Sequence, residues 1–287
     1  QTYKQTQDML RSYDRKLDQR LFSDIDLRYV RGFDMFLQKR SCCGNTRKFY
    51  FKALRAILNR ANAEGVGSVA TYPFGRGGFE VSKLEEATAK RYLPAAELSK
   101  LKSATANNPQ CEYARKLFLF SYYCYGISFI DMAMLTAAHI KQMEDGDYIV
   151  YKRQKIKRQK GVKPISIKIT PAIRQLIESL QAASPTVDDF LLPVVTRSGY
   201  TGERLYMHIR TRYSKYQKYL RLLAEELGID FHLTSYVSRH TAAMTLQRNH
   251  IPREVISQML GHADLETTNV YLDSFDNGVI NEAAKVL

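Results

Sequence analysis

Three side chains capable of chemistry sit close together near the end of this chain. Arg239 opens the run Ser238-Arg239-His240-Thr241-Ala242-Ala243-Met244, His262 follows Leu260-Gly261, and Tyr271 follows Thr267-Thr268. An arginine fork holds two oxygens of an anion at once. A tyrosine hydroxyl, with a pKa of about 10, is a modest nucleophile that needs placement and a neighbouring positive field. Each residue alone has an ordinary structural explanation: a surface arginine, a loop histidine, a core tyrosine. The joint pattern R-H-T-x-A, then L-G-H, then T-T-x-x-Y is far more specific.

Short helices must carry these residues. One helix is predicted from Ser238 to a cap at Asn249. Pro252 opens the next, with Val255, Ile256, Met259 and Leu260 on one face, and Gly261 ends it. A dense helical run is expected overall from Thr234 to Leu287, and helices over 171–182 and 207–227. Upstream, Leu117–Tyr125 is apolar and aromatic enough for a buried helix, and helix signals begin at Pro94. Alternation of Ile165, Ile167 and Ile169 with Ser166 and Lys168 predicts a strand, and Tyr148–Tyr151 is β-prone. Between them lie Lys152, Arg153, Lys155, Lys157, Arg158, Lys160 and Lys163, so the expected hairpin has a strongly basic tip. Like charges this dense repel unless an anion lies against them.

The first 65 residues read as helices over Thr2–Leu21 and Leu27–Leu37 and a third capped by Asn45. In the third, Tyr50, Ala53, Leu54, Ile57, Leu58 and Ala61 share a face, and Lys48, Lys52, Arg55 and Asn59 share the opposite one. Glycines and Pro73 break any period over residues 66–91, which therefore read as a linker. The net charge is +14 and the pI about 9.5, which suits a polyanionic partner. No apolar run reaches the ~20 residues needed to span a bilayer, and no secretory signal opens the chain. Cys42, Cys43, Cys111 and Cys124 form no CxxC pair, which fits reduced thiols in a cytoplasmic protein and no metal site.

The motif set resembles the tyrosine recombinase, or phage integrase, family. Leu260-Gly261-His262 with Tyr271 nine residues on matches its second motif box. Leu119-Phe120-Ser121-Tyr122-Tyr123 and Tyr72-Pro73-Phe74 resemble the branch found in Bacteroides-type mobile elements. The resemblance spans the chain and implies a mostly α fold with a small β-sheet in two domains. Residues 1–85 would be an all-helical, SAM-like core-binding domain and 92–287 a mixed α/β catalytic domain.

By the same resemblance, Tyr271 attacks a DNA phosphate to form a 3′-phosphotyrosine. Arg239 and His262 hold that phosphate, Lys155 protonates the departing 5′ oxygen, and Asp131 supports the site from below. Two positions depart from the family pattern. Gly126-Ile127-Ser128 puts Ser128 where an arginine is expected, and Tyr236 stands where a histidine is expected. Both neutral residues can still donate hydrogen bonds at the phosphate, and Arg153 and Arg115 are the candidates to restore the missing charge. A pentavalent phosphorus carries extra negative charge, and with no metal-ligand pattern in the sequence, fixed donors must meet it. Lys48, Lys52, Arg55, Arg153, Lys157 and Arg158 are the expected phosphate contacts.

No cofactor is expected. The expected partners are double-stranded DNA, further copies of the chain (dimer to tetramer) on that DNA, and accessory DNA-bending proteins, at the nucleoid and without a membrane. The resemblance implies a site-specific recombinase, either an integrase or an invertase. The competing readings are a type IB topoisomerase and a DNA-binding regulator whose catalysis Ser128 and Tyr236 have impaired.

Overall fold

The computed structural model describes residues 2–86, 91–262, 268 and 272. The chain forms two compact units, Gln1–Ala89 and Lys90–Leu287. Among the described residues no helix is long and apolar enough to cross a membrane.

The first unit is built on α1 (Thr2–Tyr13), α2 (Leu27–Lys39) and α3 (Gly44–Ala63). α1 stops well short of Leu21. Asp14 draws the chain into a local turn, accepting from the Lys16 amide at 2.9 Å and from Arg20 Nε at 2.8 Å. Such side-chain bonds compete with the helix ladder. The Asp26 carboxylate accepts from the Tyr29 amide and so starts α2. α3 begins two residues earlier than expected, with Cys43 at its N-cap. Asn45 instead bonds the backbone of Glu86, donating to its carbonyl at 2.7 Å and accepting from its amide at 3.3 Å. Val30, Phe33, Leu37, Phe51, Leu54 and Leu58 form the core. Phe74 and Val81 are buried in the same core, although they fall in the stretch expected to be linker. Aromatic rings at that end need a partner surface, and Phe51 supplies it, 4.4 Å from the Phe79 ring centroid.

The second unit contains α4 (Ala95–Ser103), α5 (Pro109–Tyr123) and α6 (Phe129–Ala133), then strands β1 (Ile140–Met143), β2 (Gly146–Tyr151) and β3 (Ile165–Lys168). α7 (Pro171–Ala183), α8 (Gly202–Glu226), α9 (Ser235–Arg248) and α10 (Arg253–Leu260) follow. The antiparallel sheet has the order β1-β2-β3. β2 pairs β3 with Tyr151 opposite Ile165, and the basic residues 152–164 connect them. Ile165 and Ile167 are buried while Ser166 and Lys168 face out, the alternation a one-sided sheet requires. β1 carried no such signal, because all but its first residue is exposed.

α5 is the hub of this unit, with Leu117, Phe118 and Phe120 fully buried. It packs on α7, α8 and α9. α9 ends at Asn249 and α10 at Gly261 in the left-handed conformation, both as expected. The remainder of the helical run expected to Leu287 lies outside the described residues.

Candidate active site

Arg239 lies on the first turns of α9 and is only 3% exposed. Its Nη1 donates to the Gly126 carbonyl at 3.0 Å and its Nη2 to the Leu260 carbonyl at 2.5 Å. The same Nη2 is 2.9 Å from His262 Nε2. One guanidinium therefore joins the α5–α6 turn to the end of α10 and faces the histidine just after it. On its far side, His262 Nδ1 lies 2.8 Å from Thr268 Oγ1. Bonds at both ring nitrogens fix the plane of the imidazole.

The turn before α6 allows this approach only because residue 126 is glycine. Gly126 has φ +71°, and a Cβ there would lie 2.4 Å from Arg239 Cα. Both the backbone conformation and the space exclude a side chain. α5 and α9 are held together nearby by Ser121 and Ser238, whose buried hydroxyl oxygens are 2.7 Å apart.

Ser128, in the place of the expected arginine, is the N-cap of α6. Its Oγ donates to Asp131 Oδ2 at 2.6 Å and accepts from the Asp131 amide at 3.3 Å. The second oxygen of the buried Asp131 accepts from the Gln154 amide at 2.7 Å. Asp131 thus fastens the start of the basic connection to α6. Tyr151, at the end of β2, is also buried. Burial raises its phenol pKa well above the usual range, and the Asp131 charge adds to the rise while Arg239 opposes it.

A cleft of about 410 Å³ opens here, lined by Gly126, Ile127, Ser128, Phe129 and Ile130 on one side. Tyr206, Ile209, Arg210 and Tyr213 of α8, Ser235, Tyr236 and Arg239 of α9, and Arg153 complete it. Among the described residues three arginines line the cleft and no carboxylate does. Arg153 Nη1 approaches the Gly261 carbonyl at 3.5 Å. Tyr236 is 53% exposed, and its ring lies against His240.

The structure thus brings Arg239, His262, Tyr236, Ser128, Arg153 and Asp131 together. It places Lys155 elsewhere. Lys155 lines an adjoining groove with Met134, Lys157, Arg158, Gly202 and Leu205. Ile130, Tyr206 and Ile209 form the wall common to both spaces. Tyr271 lies outside the described residues, and Leu272, next to it in the chain, is buried with Ala243, Met244, Ile256 and Leu260.

Arg115, one candidate for the missing charge, is not at the site. It donates to both oxygens of Glu112 at 2.7 Å and to the Leu101 carbonyl at 2.9 Å, tying α5 to α4. In the first unit Lys52 and Arg55 are exposed on α3. Lys48 is not a free cation on that face, since its Nζ lies 2.6 Å from Glu85 Oε2.

Sequence reasoning missed Gly126, Thr268 and the α8 face. Gly126 and Thr268 stand inside the motifs, and Tyr206, Ile209, Arg210 and Tyr213 recur at helical spacing. That spacing is the signal that would have placed them on one stripe.

Two family models match the chain: "Phage integrase family" over residues 91–277 and "Phage integrase SAM-like domain" over residues 1–80. Tyrosine recombinase XerD of Halalkalibacterium halodurans is 41% identical over 54 residues, which is 19% of this chain and 18% of that protein. XerH site-specific recombinase bound to palindromic difH substrate has a TM-score of 0.68 at 18% identity, covering 99% of this chain and 78% of that one. The Tn1549 transposon integrase in complex with transposon right end DNA has a TM-score of 0.67 at 11% identity, covering 98% and 93%. A lambda integrase dimer bound to a COC′ core site has a TM-score of 0.64 at 14% identity, covering 96% and 90%. At these identities the structures show a common fold: mostly helical, with a small sheet and two units. With Arg239 on α9 facing His262 just after α10 and a family model matching residues 91–277, the chain belongs to the phage integrase family.

Proposed function

We propose that this chain is a site-specific DNA recombinase that cuts and rejoins double-stranded DNA through a 3′-phosphotyrosine. The supporting observation is the buried Arg239 facing half-buried His262 at a cleft that, among the described residues, holds three arginines and no carboxylate. Such a site suits an anion and strengthens in a dry, partly apolar setting.

In this reading Tyr271 Oη attacks the phosphorus, the Oη–P bond forms and the P–O5′ bond breaks. The phenol releases one proton to water, and Lys155 gives one to the 5′ oxygen, so none is consumed overall. Arg239 and His262 hold the non-bridging oxygens, and Tyr236 stands beside them as a neutral donor, while Ser128 gives its one proton to Asp131. The phosphotyrosine keeps the bond energy, so attack by a 5′ hydroxyl reseals the strand without ATP. Lys155 reaches the leaving oxygen only if the 152–164 connection shifts from its adjoining groove when DNA fills the cleft. Residues 1–85 hold DNA through Lys52 and Arg55, with Lys48 joining once Glu85 lets go. Arg153, Lys157 and Arg158 hold it from the residues 92–287 domain. Two to four copies assemble on the DNA, in the cytoplasm at the nucleoid, to integrate or invert a segment.

The test uses a nicked suicide duplex carrying the sequence that the full chain selects from a random pool. A covalent adduct on a denaturing gel is expected, and Tyr271→Phe should abolish it. Tight, selective binding with no adduct would instead indicate a DNA-binding regulator.

A further inference from the structure

We propose that Arg210 of α8 supplies the phosphate-binding guanidinium that residue 128 lacks. The inference rests on the recombinase reading above. Ser128 cannot provide the charge: it is neutral, and its hydroxyl proton goes to Asp131 at 2.6 Å. Arg239 cannot easily provide a second fork either, because Nη1 and Nη2 already donate to the Gly126 and Leu260 carbonyls. Two other cations line the cleft, Arg153 and Arg210. Arg153 stands on the Gly261 side, where its Nη1 faces that residue's carbonyl. Charge is therefore already present on the α10 side of the cleft, and the side that α8 supplies needs its own.

Arg210 comes from α8 and lines the same cleft. It is exposed, and its guanidinium forms no ion pair or hydrogen bond among the described residues. Its place is nevertheless well defined. Ile209 beside it is 4% exposed and anchors α8. One turn on, the Tyr213 ring packs 5.3 Å from Phe129, the residue after Ser128. Tyr213 Oη also lies 3.0 Å from Ser235 Oγ on α9. These contacts join the α8 stripe to the elements that carry Ser128 and Arg239. An arginine without a carboxylate partner, over a wall of Ile127, Ile130 and Ile209, loses little by accepting a phosphate oxygen.

The experiment measures single-turnover adduct formation on the selected suicide duplex, and binding in parallel. Two substrates are compared, one with the natural scissile phosphodiester and one with a neutral methylphosphonate there. Arg210→Ala should slow cleavage of the phosphodiester by a factor of about 10²–10³, the usual loss for one well-placed donor. Arg210→Lys should recover part of that loss. On the methylphosphonate, Arg210→Ala and the unaltered protein should cleave at similar rates, because the charge Arg210 meets is gone. Equal loss on both substrates would make Arg210 a general DNA contact and overturn the proposal. So would an unaltered rate on the phosphodiester, or a charge-specific loss in Arg153→Ala alone. If the unaltered protein forms no adduct on either substrate, the recombinase reading fails and this inference falls with it.

Discussion

A guanidinium that is 3% exposed must find acceptors inside the protein, and Arg239 finds them in the carbonyls of Gly126 and Leu260. The same side chain that would bind phosphate therefore also holds two chain turns in place. Its removal leaves two buried carbonyls without a donor, at about 1–3 kcal/mol each. Arg239→Ala should accordingly lower the unfolding free energy by that order as well as stop cleavage. Urea unfolding checks this. A change under about 0.5 kcal/mol, the range of an ordinary surface substitution, would mean that the two carbonyl bonds contribute nothing in solution. Tyr151 illustrates the opposite case. It lies near the same charges, but burial raises its phenol pKa, so it stays protonated at neutral pH and does not compete as a nucleophile.

α6 has only the residues Phe129–Ala133, too short to stand without its cap. Asp131 serves both this helix and the connection after β2, accepting from Ser128 Oγ and from the Gln154 amide. Asp131→Ala would remove both acceptors and leave the Gln154 amide without its partner, and an unmet buried group costs about 1–3 kcal/mol. The expected result is faster hydrogen exchange at the Gln154 amide together with lower stability. Unchanged exchange at Gln154 would show that Asp131 does not hold the connection. The element-level consequence for function is direct, because Lys155 is the next residue along that connection.

The whole chain carries a net charge of +14, and both units expose basic residues: Lys52 and Arg55 in the first, Lys157 and Arg158 in the second. Binding that neutralises phosphates releases counterions, so affinity should fall steeply with salt. Changing Lys157 and Arg158 to Ala should flatten the log–log slope by about 0.9 for each phosphate contact removed. An unaltered slope would take those two residues off the DNA. Because neither is tied to another side chain in the way Arg239 is, stability should hardly change.

What the sequence determined by itself was whatever local pattern encodes: the α9 and α10 caps, the strand alternation at Ile165 and Ile167, the basic connection, and the motif that resembles one family. Periodicity and capping are short-range, so they can be read along the chain. It misplaced the end of α1 and the cap of α3 and missed β1, where a side-chain turn, a long-range Asn45–Glu86 pair and an exposed edge outweighed local preference. Only the tertiary structure decided which cations share a cleft. Arg115 and Lys48 look available in sequence, yet Glu112 and Glu85 occupy them. Arg210 looks like one basic residue among many on α8, yet the packing of Tyr213 on Phe129 sets it beside Ser128 and Arg239. A charge's partner depends on where distant segments meet, and spacing along one helix does not contain that information.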